Sequence, residues 1–212
     1  MAQFDLRHYS GKLRVMTEDV AASRADDREY ETYWDEVVEL LEGEASQFRR
    51  AVELCLENDL WEPALVLMLS FVDACSWMSR PQDHNDVRQA DFLAWVDTYL
   101  LPESKLVCTA EDLYGARCGL LHSLTGESRL HRQNRVRKIF WSRTIDGETY
   151  TLIQVRMAET LEPIAVDIDH LFWAIQRALD RFSETMMSTD DLRRSISERV
   201  YKSYFTKARR LR

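Results

Sequence analysis

Little in this 212-residue sequence breaks a helix, since there are only six glycines and four prolines while 45% of the residues are hydrophobic. That balance argues for a packed, mainly helical protein rather than a loop-rich or low-complexity one. No stretch is long enough to cross a bilayer. The longest apolar run, Ala64 to Leu69, falls far short of the ~20 residues a spanning helix needs, and no basic-plus-apolar leader opens the sequence. A soluble, cytoplasmic protein without membrane contact is expected. The cysteines, Cys55, Cys75, Cys108 and Cys118, form no CxxC pair and three sit within apolar helical patterns. They speak against a disulfide framework or zinc site and imply no metal or other cofactor. A Gly-rich phosphate loop, a nucleophile elbow and a matched carboxylate motif are also missing. P-loop, nucleotidyltransferase and glycosidase chemistry therefore find no support.

Negative charge dominates, at a net -8, but it is unevenly placed. Between residues 192 and 212, Glu198 stands alone against Arg193, Arg194, Arg199, Lys202, Lys207, Arg209, Arg210 and Arg212. Between 123 and 143, Glu127 stands alone against Arg129, Arg132, Arg135, Arg137, Lys138 and Arg143. Segments of this kind attract a polyphosphate by charge and by counterion release. Basic clusters are also commonly no more than solvated surface.

Apolar spacing sets out the elements. From Asp27 to Glu57, the positions Tyr30, Trp34, Val37, Leu41, Ala45, Phe48, Val52 and Cys55 step by three and four. They predict a long amphipathic helix that continues through Gly43 at a cost of about 1 kcal/mol. Pro63 suits the first turn of a second helix, apolar nearly all round and ending near Ser79, which should form the centre of a bundle. A third helix, Asp91 to Leu100, is stopped by Pro102. Thr109 and Asp112 read as an N-cap and its box partner ahead of Leu113, Ala116, Leu120 and Leu124, the core face of a fourth. After His122 the period falls to two, and Asp146-Gly147 between two such runs predicts a small β-hairpin over 135–155. Asp167 should cap a helix bearing Ile168, Leu171, Phe172, Ile175, Leu179 and Phe182. Ser188 to Asp191 reads as a capping box before Leu192, Ile196, Val200 and Tyr204. No repeat or linker divides the chain. A single domain over 1–212 is expected, with an N-terminal extension (1–26), a core bundle (27–124), the hairpin appendage, and C-terminal helices with a basic tail (167–212).

Polar residues interrupt the apolar pattern at two places. Arg117 and His122 lie five apart, about 140° around and about 7.5 Å along an ideal helix, so a long arginine reaches the histidine's region. An anionic ligand can bridge them. On the second helix Asp73 interrupts a face of Leu, Val, Phe and Met, and a buried carboxylate needs a partner. It either orients Arg117 or His122, as a third group does in many acid/base sites, or makes a structural bond elsewhere. Arg117 can equally pair with Asp73 or Glu111 for stability alone, with His122 favoured by the helix C-terminal dipole. Surface or capping roles suit His8, His84, His131 and His170.

The order Ala64 to Trp77, Phe92 to Leu100 and Ala110 to His122 resembles the HEPN superfamily, over roughly residues 30 to 124. That resemblance implies a HEPN-like helical bundle whose last core helix carries an Arg-x4-6-His motif, matched by Arg117 and His122. Many members are metal-independent ribonucleases, which implies RNA as ligand and an endoribonuclease of the toxin or antiphage-defence type. His122 would then be the general base and Arg117 the phosphate binder, with Asp73 completing the site and Arg129, Arg132, Arg135, Arg137 and Lys138 holding flanking RNA. The resemblance also implies a homodimer with composite sites, and an antitoxin or other protein partner. Two further classes stay open: a non-catalytic HEPN module that binds RNA, nucleotide or a partner protein, and a purely structural helical interaction domain.

Overall fold

The computed structural model describes residues 27–81, 83–143 and 163–209, with 27–33 and 201–209 described by backbone alone. These form helices α1 (Asp27–Glu57), α2 (Trp61–Ser79), α3 (Gln89–Trp95), α4 (Ala110–Ser123), α5 (Arg129–Arg132), α6 (Ile168–Ser188) and α7 (Asp190–Arg209). Strands β1 (Ile139–Ser142) and β2 (Ile164–Asp167) complete them. The mainly helical class expected from composition is therefore found. The chain divides into two units, residues 43–196 and the two ends, 1–42 with 197–212; every candidate site residue lies in the first.

Within residues 43–196, α2 is the hub. Most of its residues are apolar, and it packs against α3, α4 and α6, leaving beyond its first turn only a narrow face with Ser70 and Ala74 exposed. Leu65, Met68, Leu69 and Val72 of α2 are almost wholly buried, as are Phe92, Trp95, Leu113, Ile168, Leu171 and Ile175 from its neighbours. α1 joins them through Phe48, whose ring stacks on Phe71 at 4.0 Å between centroids, and through Arg49, whose Nε donates to Gln176 Oε1 at 2.7 Å. Gly43 passes through α1 without breaking it, as the spacing predicts.

α3 continues into a π-helical turn, Val96–Leu100, where Leu101 N–H reaches back to Val96 O at 2.9 Å. The helix ends there, and the carbonyls at a helix end have no intrahelical partners. Arg181 of α6 meets this need: its Nε donates to Tyr99 O at 3.1 Å and its Nη2 to Pro102 O at 3.2 Å.

Two expectations differ from what is observed. β1 pairs in parallel with β2, Ile139 opposite Ile164 through Ser142 opposite Asp167. The described half of the expected hairpin thus has a parallel partner that local alternation does not reveal. Asp146-Gly147 and the returning strand to residue 155 lie outside the described residues, as do the N-terminal extension and the end of the basic tail. Asp167 caps α6 as expected, accepting from His170 N–H at 2.8 Å. Ser188 does not open α7. It still belongs to α6, and its hydroxyl donates to Glu184 O at 2.8 Å. Among the described residues no helix is long and apolar enough to cross a membrane.

Candidate functional site

α4 starts where the sequence says it should. Thr109 Oγ1 accepts from Asp112 N–H at 3.2 Å while Asp112 Oδ2 accepts from Thr109 N–H at 3.0 Å, satisfying two of the helix's orphan donors. With the start fixed, Arg117 falls on the side facing α2 and His122 in the last turn.

There the expected residues converge. Arg117 Nε donates to Asp73 Oδ2 at 2.7 Å, and Nη2 lies 2.5 Å from the same oxygen. Arg117 Nη1 lies 3.2 Å from His122 Nε2. A guanidinium has donors only, so in this contact Nε2 takes the acceptor's part. The line Asp73, Arg117, His122 runs outward, from side chains 18% and 19% exposed at the ion pair to an exposed imidazole. Burial works against the charge on Arg117. The bonds to Asp73 outweigh it and lift the guanidinium above its ordinary value. Arg117 is therefore a fixed cation with its inner edge taken by Asp73 and Nη1 turned toward His122.

Tyr114 and Cys118, which the spacing does not single out, complete the surroundings. Tyr114 lies one turn before Arg117, with its ring 5.9 Å from the guanidinium carbon, and Phe92 meets that ring edge-on at 5.4 Å. Cys118 Sγ is 4.0 Å from Arg117 Nη1. Burial pushes the Tyr114 hydroxyl up, and neighbouring Cys118 adds to the shift. An aromatic three residues before a helical arginine is a readable signal for such a contact.

The basic residues separate into two kinds. Arg129, Arg132 and Arg135 are exposed on α5 and the turn after it. Arg137 is spent internally: Nη2 lies 2.6 Å and Nε 3.0 Å from Asp112 Oδ2, while its backbone N–H donates to Asp112 Oδ1 at 2.8 Å. Burial alone would raise the Asp112 carboxyl, but these bonds and the Thr109 N–H hold it below the usual carboxylate range. Lys138 pairs with Glu127 at 2.5 Å, and Arg143 spans Leu56 O at 2.8 Å and Asp169 at 3.2 Å.

Two glycines bring this segment against α4. A Cβ on Gly119 would stand 2.6 Å from Thr125 O, and one on Gly115 would stand 2.6 Å from Val136 Cγ2 and 3.3 Å from His131 Cε1. Such contact buries His131 to 6% exposure, where its Nδ1 accepts from Ser128 N–H at 2.9 Å and caps α5. His131 thus fills the expected capping role, but it is not on the surface. His84 serves its loop, with Nδ1 3.2 Å from buried Asp91, and exposed His170 opens α6.

Among the described residues no group of three or more His, Cys, Asp or Glu is arranged to hold a metal ion. No family model, curated protein or solved structure matches this chain.

Proposed function

We propose that this chain is a HEPN-like, metal-independent endoribonuclease of the toxin or defence type, with His122 as general base and Arg117 as phosphate binder. The observation that carries the reading is the hydrogen-bonded line from Asp73 through Arg117 to His122. Asp73 holds the inner edge of the guanidinium and leaves Nη1 for a non-bridging phosphate oxygen, beside an imidazole nitrogen that already bears its lone pair. Phosphate capture draws Nη1 off the imidazole and frees Nε2 for the ribose 2′-hydroxyl. That hydroxyl gives its proton to Nε2, its oxygen bonds to phosphorus, and the bond from phosphorus to the 5′-oxygen breaks. The leaving oxygen takes a proton from water or from a second imidazolium. In a homodimer the partner's copy of the same histidine would supply it. Exposed Arg129, Arg132 and Arg135 would hold flanking RNA, with Arg137 and Lys138 fixing the segment that carries them.

One observation favours a non-catalytic, RNA-binding version of the same module: Asp73 neutralises much of the charge that Arg117 would bring to a phosphate. The two readings part in one experiment. Purified protein is incubated with single-stranded RNA in EDTA beside His122→Ala. The enzyme reading requires cleavage that drops by roughly 10² to 10⁴ in the variant while binding persists, the usual contribution of a positioned acid/base group. Salt-dependent binding without cleavage by either protein selects the binding module.

A further inference from the structure

Asp73 belongs to a row of polar and aromatic side chains along α2. Trp77 lies one turn after Asp73, about 40° round the helix and about 6 Å along it, and Arg80 lies three residues further. Helical side chains lean toward the N-terminus, so Trp77 leans back toward the turn that carries Asp73, while Arg80 is the extended residue that caps the helix end. Arg80 meets the indole: its guanidinium carbon sits 4.7 Å from the centre of the Trp77 ring.

Arg80 is no phosphate ligand. It is 8% exposed, and its donors are spent on the carbonyl oxygens of Trp77 at 2.5 Å, His84 at 2.8 Å and Asn85 at 3.2 Å. Its guanidinium is a fixed plate against the indole. Trp77 is itself only partly buried, and Ser70 and Ala74, the next positions round toward solvent, are exposed. The indole therefore stands at the rim of α2, held by a cation and one turn from the carboxylate that positions Arg117. Packing alone does not call for a large aromatic at a solvent-bordering position one turn from the carboxylate partner of the proposed phosphate binder. Stacking a base does, because every nucleobase offers a flat face and aromatic side chains bind it with little dependence on sequence.

We propose that Trp77 is the stacking platform for a nucleobase flanking the phosphate held by Arg117, with Arg80 its positioning residue. The inference rests on the RNA reading above and gives its substrate a chemical form: single-stranded RNA with an unpaired base beside the scissile phosphate.

The test is binding of fluorescein-labelled single-stranded RNA by His122→Ala protein, with Trp77→Leu and Trp77→Phe built on that background. Trp77→Leu should weaken binding roughly 5- to 150-fold, the range of one stacked base, and Trp77→Phe should recover most of the loss. An abasic scan of the RNA against His122→Ala protein with Trp77 intact needs no tryptophan variant to fold, and the absence of a penalty at every base there overturns the platform by itself. Removal of one base next to the scissile phosphate should cost about as much as Trp77→Leu, and should cost nothing further in Trp77→Leu. Unchanged binding in Trp77→Leu, or an abasic penalty equal in both proteins, overturns the platform while leaving the RNA reading intact. Failure of every protein to bind RNA overturns both.

Discussion

Nη1 of Arg117 covers Nε2 of His122 at 3.2 Å, so the group proposed to bind phosphate also covers the lone pair proposed to take the proton. The guanidinium cannot turn away by itself, because Asp73 holds its Nε and Nη2. A ligand that competes for Nη1 is what uncovers the imidazole. Lysine could keep the charge but not both edges of this arrangement, since a planar fork is needed to hold a carboxylate and a phosphate at once.

Asp73 and Arg117 should behave as a coupled pair. Asp73→Ala leaves a mostly buried guanidinium without its partner and should cost about 1 to 3 kcal/mol in urea unfolding. Replacing both, Asp73→Leu with Arg117→Met, should be less destabilising than the sum of the single changes. Strict additivity would mean the pair contributes no coupling.

Arg132 and Arg137 should separate binding from folding. Arg132→Ala should leave the unfolding midpoint alone and flatten the salt dependence of RNA binding by about one unit for each phosphate that the arginine neutralises. Arg137→Ala removes the partner of buried Asp112 and should cost about 1.5 to 3 kcal/mol of stability. Equal weakening of binding in both, with equal stability, would contradict the division drawn from the ion pairs.

Gly119→Ala puts a methyl group 2.6 Å from a backbone oxygen, that of Thr125, which cannot rotate away. The helix and the segment after it must part, at a cost of about 1 to 3 kcal/mol. Gly115→Ala meets the Val136 side chain at the same distance, and a side chain can turn, so its loss of stability should be smaller. Thermal melts of the two variants check the order.

His131 should make stability depend on pH. Burial holds its imidazole below the ordinary value of 6.5, with Lys138 adding to the effect and the Arg137 carbonyl, Glu127 and Asp112 opposing it. The unfolded chain therefore takes up a proton that the folded chain refuses. The contribution is complete above pH 6.5 and is lost as pH falls from there through the depressed folded value. Asp112 acts in a lower window, its share being lost below the ordinary carboxylate value of 3.8. Unfolding midpoints between about pH 7.5 and about pH 5.5 should fall more steeply in the natural protein than in His131→Gln. Parallel curves would remove His131 from the explanation.

What the sequence reveals here follows the range of each interaction. The box of Thr109 and Asp112 spans four residues, so spacing alone places the start of α4. Asp73 and Arg117 are 44 residues apart, yet both are legible because each breaks an apolar face and must find a partner. β2 carries no such mark: four residues after Pro163 pair in parallel with a strand 25 positions earlier, and no local pattern encodes that register. His131 reads as one more member of a basic segment. It is buried against Gly115 of another helix, whose missing side chain shows only when the neighbouring chain is seen to press against it.

In the proposed mechanism the nucleophile is the substrate's own 2′-hydroxyl, activated at His122. The most direct measurement replaces that single hydroxyl by hydrogen at the cleaved position of an otherwise unchanged RNA and follows cleavage in EDTA, with product ends read by mass spectrometry. Cleavage of the unmodified RNA should leave a 2′,3′-cyclic phosphate, and the substituted RNA should bind but remain whole. Cutting at the substituted position, or a requirement for added divalent metal, would contradict the account.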